Sequence, residues 1–130
     1  MASATATLTA SPAVVPTAPP TERLTLTNVL YEKKGAIAYV TVNRPKVLNA
    51  LNTPTWADLR TAFEDARDDD AVRGVILTGA GDKAFIAGAD IGELAHASAV
   101  EAELASRFGQ EVLELVENLG KPVIAAVNGF

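Results

Sequence analysis

Cysteine is missing from all 130 residues, and histidine occurs once, at His96. Without thiols there are no disulfides and no thiolate metal ligands, and one imidazole cannot build a histidine-rich metal centre. Positive charge is scarce as well: 11 Lys and Arg against 16 Asp and Glu leave a formal net charge of −5, with the cations spread along the chain. No basic face results, which excludes nucleic acid as a general partner. No uninterrupted apolar run approaches the roughly 18 to 20 residues needed to cross a bilayer, so no membrane association is expected. A reducing cytoplasm is the default location for a cysteine-free chain. Acidity still permits a small anionic ligand, because backbone amides and a few local cations can hold phosphates. What remains is ordinary for a globular protein, 48% hydrophobic and 21% charged, and long enough for one domain with a modest core.

Residues 1–23 differ from the rest, with Ala, Thr, Ser and Pro dominant and Pro12, Pro16, Pro19 and Pro20 interrupting any helix. The composition predicts a disordered tail. It lacks the basic start and apolar core of a secretory signal, and it is too poor in Arg for a transit peptide. From Leu24 the chain becomes patterned. Leu26 to Glu32 and Ala36 to Val42 read as a hairpin turned at Lys33-Lys34-Gly35. Thr53-Pro54 then resembles an N-cap followed by proline at the first helical position, and Trp56, Leu59, Phe63 and Ala66 follow at helical spacing. Asp68-Asp69-Asp70 reads as a solvated helix exit, and Gly74 to Thr78 as a buried strand. A second long helix from about Val100 to Leu119 places Leu104, Phe108, Val112, Leu115, Val116 and Leu119 on one face, and Gly120 stops it. Pro122 to Val127 reads as a further buried strand. This β-β-α-β-loop-α-β order predicts an α/β protein with parallel crossovers.

Two glycine-containing stretches compete for a chemical role. Gly79-Ala80-Gly81-Asp82-Lys83-Ala84 fits the dinucleotide fingerprint, with Glu103 about twenty residues on. That fingerprint must open a helix, however, and here Phe85-Ile86-Ala87-Gly88-Ala89 intervenes, which argues against a nicotinamide enzyme. The run Ala84 to Asp90 is the better candidate. Ala87, Gly88 and Ala89 carry too little side chain to keep a carbonyl from the main chain, and Asp90-Ile91-Gly92-Glu93 has the spacing of a capping box that would fix the local geometry. Amides before a helix start carry partial positive charge and suit an oxyanion. The bland alternative is a small-residue turn between packed elements.

Four stretches in register then decide between these readings: Val42 to Leu51, Gly74 to Gly79, Lys83 to Ile91, and Lys121 to Phe130. Together they resemble the crotonase (enoyl-CoA hydratase/isomerase) family, over about residues 24–130. The resemblance implies a spiral of ββα units, of which this chain would form the N-terminal portion, roughly the first half. It also implies acyl-CoA thioester substrates of the kind handled in fatty acid β-oxidation, no metal and no cofactor beyond the coenzyme A of the substrate, and a homo-oligomer, a trimer or a dimer of trimers. By position, Ala89 would supply one of two backbone N–H donors to the thioester carbonyl. Asp90, Ile91 and Gly92 would line the substrate, Ala87 would approach the pantetheine arm, and Lys46, Val47 and Leu48 would lie along the CoA nucleotide. Lys46 is either a phosphate partner or a solvated loop lysine. Asn49-Ala50-Leu51 would tie its loop to the following helix, and His96 would sit on the surface. Glu93, Glu101 and Glu103 fall outside the family's catalytic glutamate positions, and capping or solvation accounts for them.

The implied activity is addition of water to a 2-enoyl-CoA, with isomerase, decarboxylase, dehalogenase or thioesterase chemistry on the same scaffold, or non-catalytic CoA or subunit binding, as alternatives. The family pattern places the second donor and both catalytic glutamates beyond Phe130. The isolated 130-residue polypeptide is therefore expected to be inactive, and poorly folded for want of strands to cover Val123 to Val127.

Overall fold

Six residues of β1 (Val29–Lys34) turn through Gly35 and Ala36 into β2 (Ile37–Val42), and the two pair antiparallel from Val29 opposite Val42 to Lys34 opposite Ile37. The computed structural model describes residues 24–130; the segment 1–23, expected as a tail, lies outside them. The hairpin therefore turns later than the sequence predicts. Lys33 and Lys34 belong to the strand because the Lys33 ammonium is held by Asp65 at 2.6 Å and Asp69 at 2.7 Å, both from the following helix. Tyr31, on the same face, donates its hydroxyl to Asp65.

That helix, α1 (Thr53–Asp68), is capped by Asn52 rather than Thr53: the Asn52 Oδ1 accepts the Thr55 N–H at 3.0 Å. Pro54 sits one position further in than predicted, which costs nothing because the first four helical N–H groups have no intrahelical partner. Leu59, Ala62, Phe63 and Ala66 form its buried stripe. Asp69, in the expected solvated exit, instead pairs with Lys33 and accepts from the Ala71 N–H. The chain returns as β3 (Gly74–Gly79), parallel to β2. No helix opens on the Gly79–Ala84 stretch; the short α2 (Ile91–Leu94) comes next, then α3 (Ala99–Glu117) and β4 (Val123–Ala125), parallel to β3. The sheet order is β1-β2-β3-β4.

Val40, Val42 and Val75 of the sheet, Phe63 and Leu59 of α1, and Val112 and Leu119 from α3 and its exit make one core. On α3 the packed stripe is Phe108, Gly109, Val112, Leu115 and Val116. Leu104, expected on that face, is 60% exposed.

β4 is shorter than the predicted Pro122 to Val127 because a side chain takes over from the backbone. After Ala126 donates its N–H to the Leu77 carbonyl, the Asn128 amide replaces the next peptide: its Oδ1 accepts the Gly79 N–H at 3.2 Å and its Nδ2 donates to the Gly79 carbonyl at 2.9 Å. β4 closes the described sheet as an edge strand, with Ile124 exposed. Among the described residues no helix is long and apolar enough to cross a membrane.

Candidate functional site

Residues 84–90 run beside the loop that follows β2, and the two are laced together by main-chain hydrogen bonds. Ala87 N–H donates to the Leu48 carbonyl at 3.1 Å, Leu51 N–H to the Gly88 carbonyl at 2.8 Å, and Asp90 N–H to the Leu51 carbonyl at 2.9 Å. The Phe130 carbonyl accepts from both Phe85 and Ile86. Among the described residues, the N–H groups of Gly88 and Ala89 donate to nothing, and both residues are exposed. Gly88 makes this possible with φ at +118°, a conformation that a residue with a side chain rarely adopts. Ala89 bridges Leu51 in parallel register, so the flanking Gly88 carbonyl and Asp90 N–H bond to Leu51 while the Ala89 N–H faces away from it.

Asn49 holds the arrangement from beneath. It is fully buried and left-handed at φ +57°, following Leu48 at φ +55°. Two such residues cost about 1 kcal/mol or more each, and the Asn49 side chain offsets this with three bonds: Nδ2 donates to the Ala80 and Ala84 carbonyls, and Oδ1 accepts the Arg44 N–H. Asn49 thus joins the loop after β2 to the loop after β3, where the sequence predicts a tie to the following helix. Asn128 grips the same segment from the other side through the Gly81 carbonyl.

Asp90 is fixed rather than free. Arg44 Nη1 lies 3.0 Å from its Oδ2, and this guanidinium holds the carboxyl below the usual carboxylate range. Its Oδ1 accepts the Gly92 N–H, capping α2. The expected capping box is only half formed. Glu93 turns away from Asp90 and accepts the Thr53 N–H at the start of α1, at 2.9 Å, so it caps the neighbouring helix. A complete box stands instead at the start of α3, between Ser98 and Glu101, while Glu103 pairs with Arg107 and His96 is exposed.

Ala89 lies at the rim of a mostly apolar groove of about 250 Å³ between α1 and α3, lined among others by Leu51, Trp56, Leu94, Gly109 and Leu113. At the opposite, Leu48 end of the laced segments a second cleft, about 320 Å³, is bordered by Lys46, Leu48, Gly81 and Lys83. Lys46 is shared with a third, about 430 Å³, which also includes Arg44 and Val47. The structure thus gathers Lys46, Val47 and Leu48 around the clefts at one end, and Ala89 and Asp90 on the groove at the other. Ala87 lies between them. Ile91, 79% exposed, and Gly92 stand on α2 outside the groove lining. Sequence reasoning gave Asn49 its structural role but with the following helix as partner, and missed Arg44 and Asn128 as fixtures of the site and Trp56 and Gly109 as groove walls. A buried-type polar residue inside an Asn-rich loop was the one available signal, for Asn49.

A sequence model described as enoyl-CoA hydratase/isomerase matches residues 32–130. The chain is 49% identical over 105 residues to the short-chain-enoyl-CoA hydratase of Clostridium acetobutylicum, covering 81% of this chain and 40% of that protein. It is 48% identical over 103 residues to the crotonyl-CoA hydratase of Syntrophomonas wolfei, covering 79% and 40% respectively. Among solved structures, an enoyl-CoA hydratase from Bacillus anthracis superposes with a TM-score of 0.77 at 34% identity, over 79% of this chain and 40% of that one. The chain therefore spans about 40% of the length of the curated relatives it matches. With a family match running from β1 to the last residue and the same backbone found in those structures, the chain belongs to the enoyl-CoA hydratase/isomerase family.

Proposed function

We propose that the protein is an acyl-CoA enzyme of the enoyl-CoA hydratase type, in which the Ala89 N–H donates to the thioester carbonyl of a 2-enoyl-CoA. One observation carries this: among the described residues the Ala89 N–H has no partner and borders an apolar groove, while the Gly88 carbonyl and Asp90 N–H on either side are tied to Leu51. The hydratase names of the two curated relatives support the substrate class.

Hydration adds the water oxygen to Cβ and a proton to Cα, and in between the thioester oxygen carries negative charge. A preorganised N–H aimed at that oxygen stabilises the enolate-like state more than the neutral substrate, which is the condition for acceleration. No electron changes hands, so the reaction calls for no redox cofactor, and coenzyme A enters only as part of the substrate. Ala87 would flank the pantetheine arm, and Asp90, Ile91 and Gly92 would lie beside the thioester. Lys46, Val47 and Leu48 would run along the nucleotide, with Lys46 offering a cation to a phosphate. A homotrimer or a pair of trimers in the cytoplasm completes the reading. The carboxylates at the groove, Asp90 and Glu93, are held by Arg44 and the Thr53 N–H, so neither is the proton-transfer group in this reading.

Ala89→Pro deletes the donor, and hydrogen exchange at Leu51 and Asp90 checks that their bonds survive the proline's constraint on Gly88. In the protein carrying this chain it should lower kcat for crotonyl-CoA hydration by roughly 10²- to 10³-fold, with CoA affinity little changed. An unaltered kcat would overturn the assignment, and a loss of hydration on Glu93→Gln would overturn the exclusion of that carboxylate.

A further inference from the structure

Trp56 leaves α1 half-buried and lies against α3 at Gly109, the one residue of the packed stripe without a side chain. A Cβ added at Gly109 would stand 3.2 Å from the indole Cε2 and 3.3 Å from Cζ2, tighter than ordinary contact. The glycine therefore lets the ring lie against the helix backbone, where the ring lines the same groove as Ala89. Leu113, one turn further along α3, is 57% exposed and forms a wall that can be changed without disturbing the core.

We infer that the Trp56 indole, seated on Gly109, is the floor of the acyl groove and sets the chain length the enzyme accepts. This rests on the reading of Ala89 as the thioester donor. The volume gives the scale. A dry apolar cavity of roughly 150 Å³ admits benzene. In proportion, the groove of about 250 Å³ takes about ten non-hydrogen atoms: the sulfur and oxygen of the thioester and about eight acyl carbons. A longer chain meets the indole.

Binding of saturated acyl-CoAs, which cannot be hydrated, separates the two ideas. Free CoA, acetyl-CoA, butanoyl-CoA, octanoyl-CoA and dodecanoyl-CoA are titrated calorimetrically into the wild-type protein, Trp56→Ala and Leu113→Trp. In the wild type, affinity should rise with chain length to octanoyl-CoA and no further. Trp56→Ala should extend the rise, so that dodecanoyl-CoA binds at least tenfold tighter than octanoyl-CoA, with free CoA unchanged. Leu113→Trp, at an exposed wall, should move the plateau down to butanoyl-CoA, and it keeps the inference testable if loss of the indole unfolds the protein. A wild-type affinity that keeps rising through dodecanoyl-CoA would overturn the inference, as would variant profiles that superpose on it. Failure of every CoA compound to bind would overturn the functional reading itself, and the inference with it.

Discussion

Asn49 shows what one residue contributes here. Its amide satisfies the buried Ala84 carbonyl and the half-buried Ala80 carbonyl and Arg44 N–H, and its backbone takes the left-handed form that Asn tolerates better than most residues. Asn49→Ala removes the side-chain partner of the Ala80 carbonyl and the Arg44 N–H, leaves the Ala84 carbonyl only the 3.4 Å bond from Asn128, and keeps the unfavourable φ. Each unsatisfied buried group costs about 1–3 kcal/mol, so a loss of about 3 kcal/mol is expected in urea unfolding. Because the lost bonds connect the loop after β2 to the 80–84 segment, hydrogen exchange at Ala87 and Asp90 should quicken more than in the sheet. A uniform change across the fold would contradict the clamp. Little of this was legible in the sequence. The small-residue run at Ala87–Ala89 announced itself by composition, whereas the partners of Asn49 and Asn128 are carbonyls more than thirty residues away, on loops whose path no local pattern encodes.

At the scale of elements, periodicity located both long helices and all four strands, because apolar spacing reflects which face is buried. The boundaries moved wherever a distant charge intervened. Lys33 extends β1 because two carboxylates on α1 receive it, and Lys121 ends α1 in a way its own neighbourhood does not reveal. The Lys121 ammonium donates to the Ala66 and Asp69 carbonyls at 2.7 Å each, so the last turn of α1 is capped by a residue that precedes β4. A cation there also opposes the negative end of the helix dipole. Lys121→Met preserves the stem and removes the donors, and should cost about 2 kcal/mol, since hydrogen bonds to charged groups contribute roughly 1.5–3 kcal/mol each when buried and less when half-exposed. Protection of the amides near Asp69 should fall while the β1–β2 pairing keeps its protection. Equal loss in both places would point to general destabilisation instead of a lost cap.

Over the whole molecule, charge sets the range of pH in which the fold is most stable. Lys33 and Arg44 hold Asp69 and Asp90 below the ordinary carboxylate range. A depressed carboxyl contributes stability that is complete above its unfolded value, about 3.9, and is lost as pH falls through the lower folded value. The alkaline limb runs the other way. Burial, and then the hydrogen bond to Asp65, raise the Tyr31 phenol well above its usual range. Burial works against the charge on Lys33, but Asp65 and Asp69 outweigh it and raise that group too. Raised groups stabilise fully below their unfolded values, about 10 for both, and the contribution fades as pH climbs toward the folded ones. Urea midpoints measured from pH 3 to 11 should therefore form a plateau between about 4 and 10 that falls at both ends. Tyr31→Phe removes the phenol and leaves the ring, so it should flatten the alkaline fall while leaving the acid limb in place. Asp69→Asn should do the reverse, shrinking the acid limb and also part of the alkaline one, because Lys33 loses a partner. An alkaline limb unchanged in both variants would show that the Tyr31, Lys33, Asp65 and Asp69 cluster does not link β1 to α1 energetically, whatever its distances.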